Sequence, residues 1–226
     1  MNTSQTAPTS RARGKSRTAL TLVELALAVA LVLLDLLLPA VLLLVLAGLS
    51  LAIRRERPRS LGLLPLRPLG RSTWEIACWT VAWTALQLTL LMPLAEHATG
   101  ERQDVSAFAE IEGDLGLWLL LLAAGWLLGA LIEELAFRGY VLTRAAALFP
   151  ARYAVLGGSV VAAVLFGLIH TEQGLVGVVL TTVDGLFFAW LRARYGSIWA
   201  AVLAHGMGNT IGLTAYFLVG PIYALW

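Results

Sequence analysis

Seven polar side chains stand inside the apolar carboxy-terminal half of this sequence: Glu133, Glu134, Arg138, His170, Asp184, His205 and Asn209. A charge near the centre of a bilayer costs about 2.5–3.5 kcal/mol on insertion scales, so each must face other helices or a water-filled cavity. In "EELAFR", Glu134 and Arg138 are four apart, on one helix face, where a neutralising pair is geometrically natural. Glu133 is rotated from Glu134 by about 100° and is left to point at another element. "FGLIH" puts Phe166 and His170 on one face, and "HGMGN" does the same for His205 and Asn209, with Gly206 and Gly208 removing bulk beside them. An imidazole and a carboxamide can both donate to one oxygen, which suits the oxyanion formed during acyl transfer. With a carboxylate to take a proton from water and a histidine to position that water, these groups make a hydrolytic kit. Read one at a time they are blander. The EE/R triplet is equally a salt-bridge cluster, His170 a hydrogen-bonded helix-end residue, and the two glycines a close-packing device. Asp184, in "LTTVDGLFFAW", is left between pairing with Arg138, lining a water path and making a plain interhelical hydrogen bond.

The elements that must position these groups are membrane helices. The chain has 226 residues, 59% hydrophobic and 13% charged, with a mean hydropathy of +0.81. A soluble domain carries about twice that charge fraction. Apolar stretches of about 17–20 residues each match a hydrocarbon core of roughly 30 Å, and alternating ten-residue strands are absent. The fold class is all-α, a polytopic transmembrane helix bundle of seven or eight helices. Cys78 is a single cysteine and cannot form an intramolecular disulfide or a thiolate cluster; its setting predicts a buried small hydrophobe. The net charge is +2, but the basic residues flank apolar segments rather than forming one patch, so nucleic acid is not an expected partner.

Residues 1–18 read as a disordered cytosolic tail, and 19–226 as a single membrane domain. The apolar run 19–53 would be about 52 Å long as one helix, too long for one crossing, and Asp35 and Pro39 suggest a break into spans 19–34 and 37–53. The Arg-rich linker that follows places both flanks in the cytosol by positive-inside bias, with the amino terminus inside. A third span is expected at 74–92. The acidic segment 94–115 then belongs outside, with His97 a solvated loop residue. The remaining spans read as 115–149, 153–170, 174–191, 197–212 and a possible eighth at 213–226. In this scheme Glu133 lies some 18 residues in from the outer side and His170 some 17 in from the inner side, a register that separates groups the chemistry needs together.

The order EExxxR, FxxxH, HxxxN on successive apolar segments resembles the CPBP family of intramembrane proteases, the CAAX proteases and bacteriocin-processing enzymes, also called Abi. The resemblance covers about 115–215 and makes this the catalytic core. It implies hydrolysis of a peptide bond in a membrane-associated peptide or protein, in a prokaryotic cell membrane. Carried over residue by residue, Glu133 activates water with His170 assisting, His205 and Asn209 stabilise the oxyanion, and Glu134 and Arg138 support them. No cofactor is required on this reading. Zinc is the alternative, with Glu133, His170 and His205 as its ligands, although no "HExxH" is present. The rival reading of the whole chain is a non-enzymatic scaffold, immunity or transporter-like membrane protein that uses the same polar cluster structurally. Oligomeric state is left open.

Overall fold

A computed structural model describes residues 10–35 and 38–222. Among these the chain is helical, without strands, and seven helical rods account for it: α1 Ser10–Leu33, α2 Pro39–Arg54, α3 Leu69–Thr99, α4 Leu115–Ala146, α5 Ala154–Leu168, α6 Gly174–Tyr195 and α7 Ile198–Val219. Six of the seven are long and apolar enough to cross a membrane, α5 once the turn at 151–153 that leads into it is counted as Ala151–Leu168; α2, with 16 residues, falls short of that length. Leucines such as Leu120 and Leu127 point outward, as lipid-facing positions do. The chain is a polytopic helical bundle.

The helix ends follow local chemistry. Asp35 takes a positive φ at the break after α1, and Pro39 opens α2, where its missing N–H costs nothing. Asp114 caps α4 by accepting from Leu117 N–H at 2.9 Å, and Ser197 caps α7 through Trp199 N–H. α1 starts at Ser10, inside the segment expected as an irregular tail, whose residues 1–9 lie outside the described residues. Three expectations need correction. α3 extends to Thr99, so Glu96 and His97 are helical, and His97 Nδ1–H donates to the Pro93 carbonyl at 3.0 Å. Cys78 is exposed on α3 rather than buried. α7 runs unbroken past residue 212, so the possible eighth span is its continuation to Val219; residues 223–226 lie outside the described residues.

α4 is the axis of the bundle, packing antiparallel to both α5 and α7 and against α2. Small residues permit the close contacts: a Cβ on Gly158 would lie 2.6 Å from the Leu142 carbonyl, and one on Gly167 would strike Thr182 of α6. At the end bearing the Arg-rich linker, buried charges join α1, α2 and α4. Arg54 forms a bidentate pair with Glu24 at 3.1 and 2.7 Å, while Arg144 donates to Ser50 and to Glu56 at 3.0 and 2.9 Å. Glu24, in the middle of the first span, is thereby paired with a cation.

Candidate active site

Residues Gly125–Val141 of α4 wind as a π-helix, 17 residues with hydrogen bonds one residue longer than in an α-helix. Both glutamates and Arg138 lie on it. The widened turn still brings Glu134 and Arg138 together: Arg138 Nη1 donates to Glu134 Oε1 at 3.0 Å, and both side chains are 0% exposed. The same Glu134 oxygen also accepts from His205 Nδ1 of α7, at 2.9 Å. One carboxylate thus bridges a cation on its own helix and an imidazole 71 residues away. The Arg138 guanidinium lies 4.0 Å from the centre of the Phe166 ring, which gives the phenylalanine of "FGLIH" its role.

Because a carboxylate that already accepts from Arg138 can only accept again, His205 Nδ1 carries a proton and Nε2 is the nitrogen turned to the site. That Nε2 stands 4.0 Å from Glu133 Oε2. Phe188 stacks on the imidazole at 4.9 Å with planes 12° apart, and Phe166 meets it edge-on at 5.9 Å, so the ring is held on both sides. His170 ends α5. Its Nδ1–H donates to the Phe166 carbonyl at 2.8 Å, leaving Nε2 to accept from water. Asn209 Nδ2 donates to the Gly125 carbonyl at 3.0 Å; its second N–H has no acceptor among the described residues.

His170, His205 and Asn209 line one cavity of about 280 Å³. Glu133 does not. It borders a second cavity of about 120 Å³, walled by Leu128, Ile132, Ile169 and the start of α2, and touches the first only across His205. The presence of Ile169 in that wall resolves the register problem. α4 is 32 residues long, so its first ten residues overshoot the 15-residue α5 and leave Glu133 level with the end of α5 that carries His170. Antiparallel neighbours of unequal length meet at a depth that counting from opposite faces misses.

The glycines of "HGMGN" have separate jobs. A Cβ on Gly206 would fall within the Trp126 ring, 2.7 Å from Cδ2, whereas one on Gly208 would meet nothing within 4 Å. Gly206 is the packing glycine, holding Trp126 where its Nε1–H donates to Thr210 at 3.0 Å; Gly208 lines the cavity. Asp184 does not pair with Arg138. Its Oδ1 accepts from Trp83 Nε1 at 2.6 Å and from Gln87 Nε2, and the side chain lines the large cavity. Phe188, Trp126, Trp83 and Gln87 were not singled out by motif; only the one-turn spacing of Asp184 and Phe188 could have suggested that this face of α6 looks into the site.

Among the described residues no three His, Cys, Asp or Glu side chains are grouped to hold a metal ion.

Among families of known proteins, the model described as Rce1-like, type II CAAX prenyl endopeptidase Rce1-like, matches residues 115–211, which begins at the first residue of α4 and contains all three motifs. No curated protein and no solved structure matches the chain.

Proposed function

With residues 115–211 as an Rce1-like segment, we propose that this protein is an intramembrane endopeptidase that hydrolyses a peptide bond of a membrane-associated peptide or protein tail. The observation that carries the reading is the convergence of three helices on one polar point. α4 contributes a carboxylate 4.0 Å from His205 of α7, and His205, Asn209 and His170 of α5 share a single cavity.

In the proposed reaction a water molecule sits between Glu133 and His170 Nε2. Glu133 takes its proton as the water oxygen attacks the scissile carbonyl carbon. The carbonyl oxygen becomes an anion and is met by His205 Nε2–H and the free N–H of Asn209. With Nδ1–H held by Glu134, a proton on Nε2 makes His205 cationic, and the set Arg138, Glu134, His205, Glu133 then sums to zero charge. A neutral set is the least costly form in which to bury four ionisable groups. Collapse of the tetrahedral intermediate breaks the C–N bond, and the proton held by Glu133 passes to the leaving amine. No step needs a metal. The amino terminus is assigned to the cytosol, on the side of the Arg-rich linker, so the large cavity opens toward the opposite, acidic segment.

The test is hydrolysis of a quenched-fluorescence peptide library by purified protein in liposomes. Glu133→Gln and His170→Ala should lower kcat by about 10²–10⁴, and Asn209→Ala by about 10²–10³. Wild type that cleaves nothing while binding peptide as tightly as the variants would remove the enzyme reading, and metal content measured on the active preparation would decide the cofactor.

A further inference from the structure

The large cavity has a chemical asymmetry that hydrolysis does not use. Away from the two histidines its lining holds one carboxyl side chain, Asp184, and no lysine or arginine; the other polar walls are uncharged, among them Thr80, Gln103, Gln173 and Thr181. Asp184 is not closed off as a structural carboxylate would be. Its two donors, Trp83 Nε1 and Gln87 Nε2, both come from α3 and both fall on Oδ1, where α3 passes from α to π geometry at Gln87. Oδ2 accepts no hydrogen bond among the described residues. The one guanidinium packed nearby, Arg138, whose Nη2 would lie 2.9 Å from a Cβ at position 185, donates to Glu134 instead.

This carboxylate, anchored in a cavity inside a membrane bundle with one oxygen open, has no cation in hydrogen-bond or ion-pair contact among the described residues. We infer that Asp184 is a specificity-determining residue that selects substrates presenting a lysine or arginine side chain to this cavity and rejects those presenting a free carboxylate there. The inference rests on the protease reading of the same site. A basic side chain threads its methylene stem past Trp83, Phe187 and Phe188 and brings its charge to Oδ2. A chain end bearing a carboxylate at this wall meets the like charge of Asp184. Asp184 stands one helical turn, about 5.4 Å, from Phe188, which stacks on His205, so the selected residue lies within a few positions of the scissile bond.

Binding and cleavage are read separately. Fluorescent decapeptides with an apolar core and Lys, norleucine or Glu at one scanned position are titrated against the Glu133→Gln protein in nanodiscs, and the same peptides are offered to wild type for cleavage. At one position Lys should bind about tenfold more tightly than Glu. Asp184→Asn, which keeps an acceptor for Trp83 and Gln87, should bring that ratio near one while leaving norleucine peptide affinity and the melting temperature unchanged. Asp184→Lys should invert it. A Lys-to-Glu ratio near one at every position with Asp184 present, or a tenfold ratio that survives Asp184→Asn, overturns the inference. Absent cleavage with intact Asp184-dependent binding would instead sink the protease reading alone.

Discussion

Replacing Glu134 by glutamine tests whether the bridging carboxylate organises the site. In the native protein Arg138 is fully buried and, among the described residues, has one hydrogen-bonded acceptor, Glu134 Oε1, and no partner for its Nε and Nη2. Removing the negative charge strands a buried cation, a loss of about 3–5 kcal/mol. The Phe166 face at 4.0 Å retains a cation–π attraction of up to about 2 kcal/mol, so Arg138 stays in place rather than leaving. Arg138→Met alone leaves Glu134 with His205 as its partner. The double variant Glu134→Gln with Arg138→Met has no stranded charge, so the cycle should give a coupling of about 3 kcal/mol. The assay is reversible unfolding in mixed micelles, followed by circular dichroism for all four proteins. Function supplies the second readout. Glu134→Gln should lower kcat by about 10²-fold or more, with KM little changed, because His205 loses the carboxylate that orients its Nδ1–H. A coupling under about 1 kcal/mol, or full kcat in Glu134→Gln, would refute the bridging role.

Gly206→Ala should force α7 away from Trp126 and cost about 1–3 kcal/mol with loss of activity, whereas Gly208→Ala should fold like wild type; equal melting temperatures for the two would contradict the assignment of Gly206 as the packing glycine. At the opposite end of the bundle, burial pushes the Glu56 carboxyl up, but hydrogen bonds from Arg144 and Ser60 more than offset this and hold it below its ordinary value of 4.5. The folded state therefore binds this proton less readily than the unfolded chain. Its stabilisation is complete above that ordinary value and is lost as pH falls through the lower folded one. Melting temperature should drop on acidification through this window, and Glu56→Gln should remove part of that dependence; identical slopes for the two proteins would count against the pair.

Much of the bundle is legible in the sequence because membrane solvation acts on each segment independently. A run of apolar residues must be helical to satisfy its own backbone in lipid, whatever its neighbours do, so most spans, the break at Asp35 and the all-helical class follow from composition and length. The errors fall where that local rule stops. The reach of α3 to Thr99 and the continuity of α7 depend on packing, not hydropathy, and Cys78 faces outward because lipid accepts a small hydrophobe as readily as a core does. The Glu134–Arg138 pair was also legible, since four residues along a helix is a covalent constraint.

Tertiary structure decided the rest. No spacing rule brings Glu134 to His205, or chooses Trp83 and Gln87 over Arg138 as partners of Asp184, because those contacts join helices whose relative depth and rotation are set by the fit of Gly158, Gly167 and Gly206 against their neighbours. It also turned Glu133 toward the smaller cavity. Sequence determined which polar groups the membrane half contains and which lie one turn apart; interhelical packing alone determined which of them share a proton, a cavity or a charge.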